Sequence, residues 1–244
     1  MKLKIAVCYK GLLRTIKDTF SNHKKFLFND NYIDVFCHTW DDGNADAYYF
    51  VKNINECKYI FKEKFKNFSN HLYDSILPQD NILNIKHDND KKYIEPYNNI
   101  NLHATPYNIL SHLYSLHQSY FLCQLYSQNN NIKYDYICIL RPDILFYDYI
   151  NYDELDLNKI NISWFERKNE LLNHEDAIID HIAISSEELI KTYSETFLNI
   201  SSLYLKQKKP FIPEILLGAH LKQNNLQTNM LSTIHTVYKP KGTK

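Results

Sequence analysis

Apolar and polar positions along the chain follow two rhythms: short unbroken apolar runs, and stretches with an apolar residue at every third or fourth place. The first predicts buried strands and the second amphipathic helices. Lys4 to Cys8 is the first run, and it ends in a loop from Tyr9 to Arg14. Ile16, Phe20, His23 and Leu27 then mark one face of a helix. Ile33 to Cys37 predicts a second strand and Cys57 to Ile60 a third, after which Phe61, Phe65, Phe68, Leu72 and Ile76 predict a long helix. Residues 78–103 are polar, carry Pro78 and Pro96, and read as an excursion with one edge strand over Ile82 to Ile85.

Thr105 and Pro106 supply an N-cap and a first-turn proline for a helix to about Tyr126, burying Ile109, Leu113, Leu116, Tyr120 and Cys123. Tyr134 to Leu140 is the strongest strand signal; it runs into Arg141, Pro142 and Asp143, then Ile144 to Phe146. Strands follow over Ile160 to Phe165 and His181 to Ile184, with a helix from Ser186. Pro213 opens a helix from Glu214 to about Gln223, and Ile234 to Tyr238 closes the chain as a strand. Strands alternating with helices predict a single α/β domain with a mostly parallel sheet covered on both faces. Such sheets bind ligands beyond the carboxyl ends of their strands, which singles out residues 9–14, 38–43 and 141–143.

Composition removes several functions. With 28 basic and 28 acidic residues there is no global field to gather nucleic acid. The four glycines, at 11, 43, 218 and 242, cannot build a dinucleotide fingerprint or a phosphate loop. Five cysteines without a CxxC pair suit a reducing, cytoplasmic compartment. No apolar stretch approaches the roughly 20 residues of a membrane span, and the N-terminus is too quickly polar for a signal peptide. HExxH and GxSxG signatures are lacking.

The strand-end loops carry the candidate chemistry. An Arg and an Asp leaving a strand as apolar as Tyr134 to Leu140 must meet water, each other or a ligand. Arg141 and Asp143 are therefore either a structural pair or a carboxylate placed for a divalent cation, manganese or magnesium, shared with diphosphate oxygens. Lys10 and Arg14 around Gly11 read as an ordinary turn or as a nucleotide-diphosphate site. His38 and Trp40 read as packing or as a face for a base or sugar. Glu175, Asp176, Asp180 and His181 form an acidic cluster that is either solvated or orients an acceptor hydroxyl. Asp88-Asn89-Asp90, the one literal Asp-any-Asp triplet, lies among Lys86, His87, Lys91 and Lys92 and reads as a solvated loop.

The segments KIAVCYKGLLRT, DVFCHTW, YDYICILRPDILF, DHIAISSEEL and PEILLGAHL, in that order, resemble small bacterial and viral glycosyltransferases that build capsules and lipopolysaccharides. The resemblance implies a GT-A-type, Rossmann-like sandwich over residues 1–244, nucleotide-binding to about residue 146 and acceptor-binding beyond it. It implies transfer of a sugar from a nucleoside diphosphate sugar to a glycan hydroxyl. Lys10, Gly11, Arg14, His38, Trp40 and Arg141 would hold the donor, and Asp180 and Glu214 would serve the acceptor. Asp143, with a C-terminal His235, would hold the cation. The family's Asp-any-Asp motif is here Arg141-Pro142-Asp143, which loosens the metal requirement, since Arg141 can offset diphosphate charge. Two alternatives remain: transfer of a non-sugar, for example phosphorus-containing, group to a capsule sugar, and a non-catalytic glycan-binding or assembly module. Lys206, Lys208, Lys209, Lys239, Lys241 and Lys244 read as a solvated charge run or a peripheral membrane contact.

Overall fold

The computed structural model describes residues 2–64, 106–163, 174–233 and 235–239. Seven strands make a central sheet: β1 (Lys4–Lys10), β2 (Tyr32–Trp40), β3 (Cys57–Glu63), β4 (Tyr136–Leu140), β6 (Ile160–Ser163), β7 (Ile182–Ser185) and β8 (Thr228–Leu231). Their order is β3-β2-β1-β4-β7-β6-β8, parallel except at both edges of β7. A second, two-stranded sheet pairs β5 (Ile144–Phe146) with β9 (His235–Val237). The helices are α1 (Ile16–His23), α2 (Ala45–Lys52), α3 (Pro106–Asn130), α4 (Glu187–Ser194), α5 (Thr196–Ser201) and α6 (Pro213–Gln223).

The apolar runs are strands because both faces of the sheet are covered. Along β1, Ile5, Val7 and Tyr9 enter one core with Ile16, Phe20 and Leu27. Ala6 and Cys8 enter the other with Leu113, Leu116 and Tyr120 of α3. Side chains alternate across a strand, so the next even position, Lys10, faces α3 as well. Each fully buried aliphatic side chain contributes on the order of 1.5–3 kcal/mol, so a one-residue slip of β1 would be costly. The face predicted for the Thr105–Tyr126 helix is buried as expected. Helix α1 runs on into a π turn over Lys24–Phe28, which keeps Leu27 inside.

One expectation changes. Phe61, assigned to a helix face, belongs to β3, where it is 44% exposed. The alternating Tyr59-Ile60-Phe61 segment extends the ladder against β2 as far as Glu63, so strand pairing claims it first. The sheet is mostly parallel, as expected, with β7 alone running against its neighbours. The rest of the Phe61–Ile76 helix, the edge strand at Ile82 to Ile85 and the Asp88-Asn89-Asp90 triplet lie outside the described residues. Among the described residues no helix is long and apolar enough to cross a membrane.

Candidate functional site

The parallel strands β1, β2 and β4 end on the same side, and their following loops frame a cleft of about 630 Å³. Lys10 and Gly11 come from β1 and its loop, Trp40, Asp41 and Asp42 from β2, and Arg141 to Asp143 from β4. Arg14 and Thr15 enter at the start of α1, and α3 contributes Asn108, Ser111 and His112. Six predicted residues thus share one cavity: Lys10, Gly11, Arg14, Trp40, Arg141 and Asp143.

Lys10 is 1% exposed. Its Nζ lies 3.3 Å from Asp180 Oδ2 and 2.9 Å from His112 Nε2, and that same His112 nitrogen contacts Asp180. Nε2 can accept from Lys10 or donate to Asp180 but not both, so the three groups share their protons. Burial pushes the Lys10 ammonium below its ordinary range, partly opposed by the Asp180 charge. Burial opposes ionisation of Asp180, yet Lys10 and His112 together hold its carboxyl well below the usual range. His112 is pushed down by burial and by Lys10. Asp180 is thus a locked counter-ion beneath the cleft.

At the rim, Arg141 grips Asp143 with two hydrogen bonds, Nε to Oδ1 at 3.0 Å and an Nη to Oδ2 at 2.7 Å. The structural-pair reading holds: Arg141 and Asp143 form a bidentate ion pair, and both line the cleft. The Arg141 guanidinium, although penalised by burial, is held above its ordinary value by Asp143. The backbone of this loop is fixed from α1. Thr19 Oγ1 donates to the Pro142 carbonyl at 2.6 Å, and Asn22 bonds both backbone groups of Phe146. His23 Nε2 donates to the Ile144 carbonyl, and its Nδ1 accepts from the Tyr9 hydroxyl. Arg14 is exposed and ion-paired with Asp42 at 3.3 Å. Gly11, at φ 92°, holds a left-handed conformation and gives its N–H to Ser115 Oγ at 2.7 Å.

The remaining predicted residues sit elsewhere. His38 is fully buried one layer below, bonded through Nδ1 to Ser115 Oγ and packed edge-on to Trp40. Trp40 itself is 4% exposed and also meets the Tyr114 ring, so it presents little face to the cleft. Glu214 is half-buried at the start of α6, with its carboxyl raised to about 7 by burial and by the Asp180 charge. His235 bonds His181 at 3.0 Å, and burial takes both rings down to about 4. Asp176, from the acidic cluster, is buried and paired with Lys209 and Lys222 rather than solvated.

Among the described residues, no three His, Cys, Asp or Glu side chains gather in a way that would hold a metal ion. A divalent cation would find Asp143 already doubly bonded to Arg141, Asp41 and Asp42 ion-paired with Lys62 and Arg14, and a His235 whose Nε2 faces His181. Asp143 and His235 therefore do not by themselves form a resident metal site.

Sequence reading singles out no residue of α3 for this cleft, yet His112 lines it beside Lys10. The available signal was a polar stripe on an otherwise apolar helix. Asn108, Ser111, His112 and Ser115 recur at helical spacing on the side of α3 that meets the strand ends. No protein-family model matches the chain, and no curated protein matches it.

Proposed function

We propose that this chain is a glycosyltransferase of GT-A-like architecture that moves a sugar from a nucleoside diphosphate sugar to a hydroxyl of a surface glycan. One observation carries the reading: Lys10 and Arg14 after β1, and Arg141 and Asp143 after β4, line a single cleft. Departure of a nucleoside diphosphate leaves negative charge that preorganised cations stabilise. Arg141 matches a phosphate as well as it matches Asp143, because both offer paired oxygens to its planar fork. Lys10 adds charge from the floor of the cleft, and Arg14 adds it from the rim.

The two predicted carboxylates take different roles. Asp180 is committed to Lys10 and His112, which makes it a positioning group. Glu214, with its carboxyl near neutrality, is the group suited to accept the acceptor's proton. The sheet order, with β7 antiparallel beside β4, is compatible with the architecture proposed.

The test is a thermal-shift panel of UDP-, GDP- and CMP-linked sugars with and without manganese, followed by donor-hydrolysis assays on every hit. A bound donor stabilises the fold through mass action by about 2.7 kcal/mol at a hundredfold excess over Kd, which raises the melting temperature. The expected result is one donor class that stabilises the wild type and loses its effect in Asp143→Ala and Arg141→Ala. Indifference of the wild type to all donors, with manganese present, refutes the proposal.

A further inference from the structure

The first turn of α1 opens into the cleft at Thr15. Threonine at a helix N-cap ordinarily turns its hydroxyl onto a first-turn N–H. Here it does not: the Thr15 side chain makes no capping bond, and its residue is only 6% exposed. The Oγ1 atom is buried with no hydrogen-bond partner among the described residues. A buried hydroxyl without a partner is uncommon and destabilising, so its retention points to a partner that arrives later. The backbone adds to this. Asp18 and Thr19 N–H groups return to the Thr15 carbonyl and Ile16 N–H to Leu13, while Lys17 N–H takes no backbone acceptor among the described residues. The positive end of the helix dipole lies at the same place. Arg14, two-thirds exposed, and Arg141 stand beside it, held by Asp42 and Asp143 respectively. Asp18, the acidic residue of the first turn, is exposed and does not line the cleft.

We infer that the Thr15 hydroxyl and the N-terminus of α1 form a phosphoryl-binding subsite, with Arg14 and Arg141 completing its charge. In the donor reading, on which this assignment rests, the occupant is a phosphate of the nucleoside diphosphate. Thr15 rotates about χ1 to donate its proton to a phosphoryl oxygen, and no bond is made or broken.

The experiment is isothermal titration of the full chain with inorganic phosphate, pyrophosphate, UDP and GDP at fixed ionic strength, on wild type, Thr15→Val and Thr15→Ser. Valine keeps the shape and removes the hydroxyl. Diphosphate affinity should fall about five- to tenfold in Thr15→Val, stay within about twofold in Thr15→Ser, and change equally for pyrophosphate and nucleotides. Because the hydroxyl has no partner in the free protein, ligand-free Thr15→Val should melt at or above the wild-type temperature. A lower melting temperature would mean the hydroxyl caps the helix and would overturn the inference, as would unchanged nucleotide binding. Either result leaves the donor cleft intact. Tighter binding of inorganic phosphate than of any diphosphate also overturns it. If wild type binds no nucleoside diphosphate or nucleotide sugar at all, the donor reading fails and takes this subsite with it.

Discussion

Replacing Asp180 with Asn removes the counter-charge of a lysine that water cannot reach. The Lys10 and Asp180 side chains are 0% and 4% exposed, and their charged atoms lie 3.3 Å apart. At that distance and an effective dielectric of about 20, Coulomb's law gives about 5 kcal/mol. Breaking one side of a buried pair typically costs about 3–5 kcal/mol. For a chain of this size that lowers the melting temperature by roughly 6–20 °C. The pH dependence is more specific than the magnitude. Burial already holds Lys10 below its ordinary 10.5, and loss of Asp180 lowers it further. Between that lowered value and 10.5 the unfolded chain binds more protons than the folded one, so stability rises with pH. Urea unfolding of Asp180→Asn should therefore show a deficit at pH 7 that narrows toward pH 10. Lys10→Met should cost less, because His112 can protonate and take over Asp180. That compensation needs a protonated His112, so it holds at low pH and is lost as pH rises. A loss below about 1 kcal/mol in Asp180→Asn, or a deficit independent of pH, refutes this account of the triad.

The histidines His23, His181 and His235 are held at about 4, against an ordinary 6.5, by burial. Each contributes stability that is complete above pH 6.5 and is lost toward pH 4, at roughly 1.4 kcal/mol per pH unit. Urea midpoints should fall steeply between pH 6.5 and 4, and less steeply in His23→Gln. Glu214, raised to about 7 from 4.5, has the opposite sign, since the folded state keeps a proton that the unfolded state releases. Glu214→Gln should accordingly gain stability over wild type from pH 5 to pH 8, and any transferase activity should lose its rise through pH 7. Gly218→Ala would place a methyl group inside the Asp176 carbonyl oxygen, a backbone atom that cannot step aside. Destabilisation of about 3 kcal/mol or insoluble expression is expected, and a soluble variant with an unchanged melting temperature contradicts that packing.

The frame of the fold was legible because both faces of the sheet are covered, so β1, β2 and β4 are buried at nearly every position and read as apolar runs. Strand ends then pointed to the cleft, and Lys10, Arg14, Arg141 and Asp143 meet there. Helix α2 announces itself poorly because it buries only Ala47 and Val51. Strand β8, with Thr228 and Met230 exposed, has the alternation of a sheet edge over too few residues to stand out. His112 escaped because a residue's neighbours across a fold are invisible along the chain: its partners are about a hundred residues before it and about seventy after it. The engagement of Asp143 by Arg141 was visible in the spacing, but which of two outcomes a strand-end pair adopts depends on what surrounds it.

The bonds from Thr19, Asn22 and His23 make one wall of the cavity immobile. With the carbonyls of Pro142, Ile144 and Phe146 all engaged by a single helix, that wall is anchored at three points along one segment. In hydrogen–deuterium exchange, the Phe146 amide, fastened to Asn22, should be among the last to acquire label.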